Sequence, residues 1–350
     1  MSSVTEIRCK QACTEISNED ISSSWNLNPY RGCMHGCVYC FAIYSHDYLY
    51  ESGNYYDDLY VKMNIAAQLE KQLSSPNWNG ETIGICGVTD CYQPLEAKYK
   101  LMPDILRVLI KYKNPCSILT KSDLILRDYD LIDELSSVTH VSINASISCT
   151  DNEIRKKIEP GGKNAAEKFQ MLKEFSKTNA KIGVLNMPII PYITDDRVNI
   201  EQIYANASSS GVNYVMSKVL YLRGKTKEMF FETIKREFPQ YYEPLKQLYQ
   251  HSEATKAYKS SIYKMVKEIK RRYYFSKKQL ANHTTPLPSH KLSKKRTEST
   301  KQLSLFDTNQ KLNKLTQHPP QTASDHDSFV EIEMGSTKPI SAPVSLSQKI

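Results

Sequence analysis

Between Asn28 and Ala42 the chain reads Asn-Pro-Tyr-Arg-Gly-Cys-Met-His-Gly-Cys-Val-Tyr-Cys-Phe-Ala, which sets Cys33, Cys37 and Cys40 at the spacing C-x3-C-x2-C. One short loop with three such cysteines can wrap a cubane iron–sulfur cluster and ligate three of its four irons. Clusters that only carry electrons are usually held by four thiolates. An iron with no protein ligand is therefore a place for something else to bind. The other chemistry for three close cysteines is a zinc site, but structural zinc wants four ligands, often in paired C-x2-C units. His35, enclosed between two of the cysteines, makes an awkward fourth corner of a tetrahedron.

The elements that must carry this loop are read from the rest of the 350 residues, enough for one large or two ordinary domains. An apolar share of 40% supports a sizeable core. The first residues lack an apolar signal region and no apolar run is long enough to span a bilayer, so a soluble, cytoplasmic protein is expected. In that compartment nine cysteines are expected as reduced thiols, metal ligands or redox groups rather than staples. A net charge of +8 admits a nucleic-acid partner without demanding one.

Residues 1–24 are polar and read as an irregular lead-in, with Cys9 and Cys13 away from any partner motif. From 25 to 235, apolar strand candidates at 82–88, 116–120, 140–147, 181–190 and 213–219 alternate with helical patterns at 60–73, 98–111, 129–135, 165–176 and 200–208. That alternation predicts an α/β fold with a parallel sheet and crossover helices. No Gly-x-Gly-x-x-Gly follows the first strand, which argues against a dinucleotide-binding domain. A barrel or partial barrel fits, with its chemistry at the C-terminal strand ends. Residues 236–282 read as a helical extension rich in Lys, Arg and Tyr. Its rings either pack helices onto the barrel or present a basic, aromatic surface. The segment 283–350 has the composition of a disordered tail.

The cysteine loop, with Tyr39 immediately before its third cysteine, resembles the signature of the radical S-adenosylmethionine (SAM) superfamily. Wider blocks resemble its spore photoproduct lyase-like branch: Asn28 to Cys40, Val88-Thr89-Asp90-Cys91-Tyr92-Gln93-Pro94-Leu95-Glu96, and the run from Leu119 to Asp128. Val141 to Asn144, Ile158 to Gly162 and Pro188 to Pro191 follow in the expected order. The resemblance implies a partial (βα)6 TIM-type barrel holding a 4Fe-4S cluster on Cys33, Cys37 and Cys40. It implies that SAM occupies the open iron and is cleaved to a 5′-deoxyadenosyl radical, so the cofactors carry the hard chemistry. It also implies a reducing partner such as flavodoxin or ferredoxin.

Within that resemblance Tyr39 is expected to seat the adenine and Lys121 to neutralise the SAM carboxylate. Thr89 and Asp90 are expected at its ribose or amino end, although Asp90 also suits a helix cap. Ser142 and Asn144 alternate with Val141 and Ile143 and so share one face of a strand. If that face is the barrel interior, they too contact SAM. Glu159-Pro160-Gly161-Gly162 is a turn by composition, shaping the pocket wall. Spore photoproduct lyase returns a hydrogen atom through a cysteine. Cys91, just past Asp90, is the candidate for that role here, with Cys86 read as a buried structural thiol.

The implied substrate is damaged or modified DNA, with RNA, a peptide or a small molecule as alternatives. A clamp- or DNA-associated iron–sulfur sensor is the reading from another class. In the tail, Gln302, Leu303, Ser304, Leu305 and Phe306 resemble the pentapeptide that docks bacterial repair proteins on the sliding clamp. Otherwise this apolar cluster packs back on the domain. A peptide of this kind would insert Leu305 and Phe306 into an apolar pocket.

Overall fold

The computed structural model describes residues 2–16, 23–46 and 54–275. The expected tail at 283–350, with the pentapeptide at 302–306, lies outside them. Among the described residues the strands, in chain order, are β1 (Ser3–Ile7), β2 (Cys13–Glu15), β3 (Trp25–Leu27), β4 (Tyr30–Arg31) and β5 (Asp58–Lys62). After them come β6 (Ile83–Ile85), β7 (Cys116–Thr120), β8 (Val141–Ser146), β9 (Lys181–Ile189) and β10 (Tyr214–Val219). The strands β3, β6, β7, β8, β9 and β10 lie side by side in that order, every neighbouring pair parallel. Strand order that follows chain order, with helices on the connections, makes the partial (βα)6 barrel that the alternation predicts. β2 adds an antiparallel edge beside β3.

The helices are α1 (Ile65–Leu73), α2 (Pro94–Tyr99), α3 (Leu101–Tyr112), α4 (Tyr129–Val138) and α5 (Asn152–Ile158), then α6 (Ala165–Phe175), α7 (Arg197–Ser209), α8 (Gly224–Glu237), α9 (Tyr242–Leu248) and α10 (Lys256–Lys270). Their placement follows from stripes and caps. In α3 the buried residues Leu101, Met102, Ile105, Leu106 and Leu109 form one face, while Asp104, Arg107 and Lys111 stay in solvent. At α6 the side chain of Asn164 accepts from the Glu167 N–H while Glu167 accepts from the Asn164 N–H, a reciprocal cap that fixes where the helix starts.

Two expectations change. The stretch 60–73 begins as a strand: Leu59 and Val61 are buried and their neighbours half-buried, a period of two, and only then does α1 begin. The N-terminal residues are not irregular either. β1 runs parallel to β5, and β4 pairs with the other side of β5. Asn64 and Gln72 clamp the following segment, accepting the N–H groups of Cys9, Ala12 and Cys13 at 2.8 Å each. The tyrosines of the C-terminal helices mainly pack and anchor. The Tyr249 hydroxyl donates to Leu220 O at 2.8 Å, and Tyr258 to Asp195 at 2.5 Å. No helix among the described residues is long and apolar enough to cross a membrane.

Candidate active site

The cysteine loop leaves the sheet at the C-terminal end of β3, and the small β1–β5–β4 sheet fixes its entry. Gly32 has φ +75°, and a Cβ there would stand 2.8 Å from each of Asp58 O, Tyr55 O and Leu59 Cδ2. Only glycine lets the backbone run this close, and it brings the Cys33 N–H to Tyr55 O at 3.3 Å. Cys33, Cys37 and Cys40 then line one cavity with Cys86, Thr89, Asp90 and Lys121, which stand at the ends of β6 and β7.

Burial pushes the Cys33 thiol up to about 12 and raises Cys37 and Cys40 as well. Against burial work the N–H groups of His35 and Asp90 at Cys33, the Ala42 N–H at Cys40, and the Lys121 ammonium near Cys37 and Cys40. Those donors support thiolates once a metal replaces the protons. Among the described residues no three Cys, His, Asp or Glu side chains gather about a single ion. Three cysteines lining one cavity suit a polynuclear iron–sulfur cluster better than one zinc ion, which wants four ligands.

His35 has both ring nitrogens engaged within the protein. It is buried, with Nδ1 2.8 Å from Gly161 O and Nε2 2.9 Å from Asp90 Oδ2. The Gly161 N–H donates to His35 O at 2.9 Å, and the Val38 N–H to Ile158 O at 3.0 Å. A Cβ on Gly161 would lie 2.5 Å from Met34 O and 2.8 Å from His35 Cα, so this turn and the cysteine loop meet backbone to backbone.

Thr89 and Asp90 stand on the cavity wall, but their polar atoms hold the loop. The Thr89 hydroxyl donates to Gly32 O at 2.6 Å. Besides His35, Asp90 accepts from the Thr120 hydroxyl at 2.8 Å, the Lys121 N–H at 2.7 Å and the Tyr92 N–H at 2.9 Å. Burial raises the Asp90 carboxyl, yet His35 and these donors outweigh it and hold the group below the ordinary carboxylate range. Gln93, which the sequence reading passed over, completes the clamp. Its Nε2 donates to Gly32 O at 3.2 Å, and its Oε1 accepts the Met34 N–H at 3.0 Å. Thr89 and Asp90, expected at SAM, thus also position the cysteine loop from the cavity wall.

Lys121 reaches across the mouth of the barrel, its Nζ donating to Ser146 Oγ at 2.8 Å and lying 5.9 Å from the centre of the Tyr39 ring. Tyr39 itself points inward. Its hydroxyl donates to Glu159, which also accepts from Ser148 Oγ at 2.8 Å and Lys168 Nζ at 3.1 Å. Glu159 and Lys168 are 1% and 2% exposed. Burial raises the Glu159 carboxyl, but Lys168, Lys121 and the hydroxyl donors hold it down to about 2. The Tyr39 hydroxyl is thus committed to Glu159.

Ser142 and Asn144 do share the inner face, but lower down. Asn144 donates to Ser117 Oγ at 3.2 Å and accepts the Tyr214 hydroxyl. In the register Thr120 is opposite Ala145, which sets Lys121 level with Ser146. The same alternation carried two residues further identifies Ser146.

The largest departure concerns Cys91. It is fully buried and joined to Cys86 by a disulfide with Cα atoms 5.6 Å apart. A bonded sulfur has no S–H to give, so the hydrogen-donor expectation fails for the oxidised pair. Cys86, in the left-handed region at φ +76°, is the one of the two that lines the cavity. Of the reduced thiols, metal ligands or redox groups expected of the cysteines, this pair can only be a redox group.

Other motif residues turn out to be scaffold. Glu96, fully buried, accepts from the Tyr30 hydroxyl, from Arg127 at 2.5 Å and from the N–H groups of Leu101 and Met102. Arg127 also pairs with Asp128 at 2.8 Å, which accepts the Tyr92 hydroxyl at 3.1 Å. This network welds the segments after β3, β6 and β7 below the cavity.

Residues 27–202 match the model of the radical SAM superfamily. An uncharacterized protein of Mycobacterium tuberculosis is 32% identical over 247 residues, 70% of this chain and 73% of that one. One of Methanocaldococcus jannaschii is 29% identical over 217 residues, 62% of this chain and 77% of its own. Among solved structures, a mutant spore photoproduct lyase with bound AdoMet and dinucleoside spore photoproduct superposes with a TM-score of 0.57. The match covers 78% of this chain and 82% of that one at 11% identity, a likeness of fold.

Proposed function

The chain belongs to the radical SAM superfamily, and we propose that it is an enzyme that holds a 4Fe-4S cluster on Cys33, Cys37 and Cys40 and cleaves SAM reductively. The observation that carries this reading is the convergence of the three cysteines and Lys121 on one cavity at the C-terminal end of the parallel sheet. When bound, the cluster would supply the electron that breaks a carbon–sulfur bond of SAM and so generates a 5′-deoxyadenosyl radical. The chain's own residues position and shield. Asp90, His35, Thr89 and Gln93 hold the loop in one shape, and Glu159 with Lys168 fixes Tyr39 behind it. Lys121 sets a buried positive charge beside Cys37 and Cys40, and the same ammonium can meet a carboxylate.

For substrate we propose damaged or modified DNA, presented with its base out of the stack. The fold likeness to a protein that binds a dinucleoside photoproduct supports this, as does the positive charge of the chain. Reducing power would come from flavodoxin or ferredoxin. The segment 302–306 would tether the enzyme to the sliding clamp.

The test is anaerobic reconstitution, reduction with dithionite and chromatography for 5′-deoxyadenosine, which Cys37→Ala should abolish. A fully loaded cluster that never cleaves SAM would instead favour a sensor. Incubating the reduced enzyme and SAM with DNA containing thymine dimers, and looking for repaired thymine, tests the substrate.

A further inference from the structure

A fourth cysteine shares the cavity with the three of the loop. Cys86 lies on its wall, in the turn after β6, and Cys91 lies behind it with no exposed surface. The Cys91 N–H points at Cys86 Sγ at 3.0 Å, a donor that favours charge on that sulfur. The bridge between them closes the segment that carries Thr89 and Asp90, the two residues that hold Gly32 and His35.

Soft sulfur competes for any iron within its reach. In a cavity that leaves one iron open to SAM, a free thiolate on the wall is a competitor for that iron. Bonding Cys86 to Cys91 removes that competitor without removing the cysteine. We propose that Cys86 is a latent fourth thiolate of this cavity, that Cys91 holds it away as a disulfide, and that a dithiol reductant switches the site between the two forms. This rests on the cluster reading above. In the switch a reductant thiolate attacks one sulfur of the bridge and the other leaves as a thiolate. The second reductant thiol then closes the reductant's own disulfide. Two electrons and two protons pass to the pair, leaving Cys86 and Cys91 as thiols and the dithiol oxidised. Cys86 then gives its proton to water and its sulfur takes the position that SAM would use. A disulfide oxidant reverses the exchange.

Alkylation of the full chain, isolated without reductant, tests the bridge. The peptide carrying both cysteines should resist iodoacetamide and weigh two hydrogens less than the dithiol form. After dithiothreitol both cysteines should label. Cys86→Ser and Cys91→Ser, loaded anaerobically with iron and sulfide, test the ligand. Both should take up the same iron, but SAM should change the electron paramagnetic resonance spectrum of reduced Cys86→Ser and leave that of Cys91→Ser unchanged. Identical responses of the two variants to SAM, or labelling of both cysteines before reduction, would overturn the proposal. Failure of every form, wild type included, to load iron would sink the cluster reading instead, and the labelling result would still judge the bridge.

Discussion

Replacing Lys168 with Met removes the nearest cation from a carboxylate that has no route to water. Glu159 is 1% exposed, and its carboxyl is held down to about 2 from an ordinary value of 4.5. At about 1.36 kcal/mol per pH unit, that depression represents about 3 kcal/mol of folding stability at neutral pH. Breaking one side of a buried pair costs about 3–5 kcal/mol in general, so the two magnitudes agree. Lys121, Ser148 and Tyr39 remain beside the carboxylate and retain part of it. Lys168→Met should therefore cost about 2–3 kcal/mol at pH 7, read from urea unfolding of the metal-free protein. The sign with pH follows from the direction of the shift. A depressed carboxyl stabilises fully above 4.5, and the contribution fades as pH falls toward about 2. The gap between wild type and variant should shrink over that window. Adding Glu159→Gln to Lys168→Met removes the stranded charge and should recover part of the loss. A cost below about 1 kcal/mol at pH 7, or a gap that does not change between pH 7 and pH 3, would refute the electrostatic account.

Asp90→Asn strips the charge that faces His35 and should lower iron loading of the reconstituted protein by roughly 10–100-fold, the usual range for residues that orient metal ligands. Iron per chain at limiting iron checks this. Lys121→Met should weaken SAM binding by roughly tenfold or more, the loss of one buried charge-assisted contact, measured by equilibrium dialysis on samples matched for iron content. In the tail, changing Leu305 and Phe306 together to Ala should abolish capture by a bacterial sliding clamp, while SAM cleavage stays at wild-type level.

The parallel strands from β7 to β10 are legible because each is an apolar run of strand length between helical patterns, and their order needs no further information. The pairing of β1 with β5 is not legible, because strands some 55 residues apart carry no local sign of each other. In the site, the cysteine spacing and the direction of Lys121 could be read. The depth of Ser142 and Asn144 could not, since alternation gives a face but not a rung. Ser146 was reachable by extending the same alternation. Lys168 had a signal as well: it falls on the apolar stripe with Ala165, Leu172 and Phe175, where a charge must be paired. The Cys86–Cys91 bridge had no pairing signal, because the expected compartment argued against staples and left redox groups unassigned. For Tyr39, Thr89 and Asp90 the sequence did not show the hold they have on the loop. Motif residues that hold a ligand loop and those that touch the ligand look alike in one sequence.

The contacts of the cysteine loop also set an order of events in biosynthesis. His35 meets Gly161 across 126 residues, Tyr39 meets Glu159 across 120, and Cys40 O accepts the Thr226 hydroxyl across 186. A ribosome exposes the cysteines long before it makes any of these partners. The nascent loop is thus a set of accessible thiols with no walls, and iron delivered then has nothing to shape its geometry. Loading belongs after release of the barrel, so ribosome-bound chains stalled near residue 150 should retain no iron in a pull-down, whereas completed chains should.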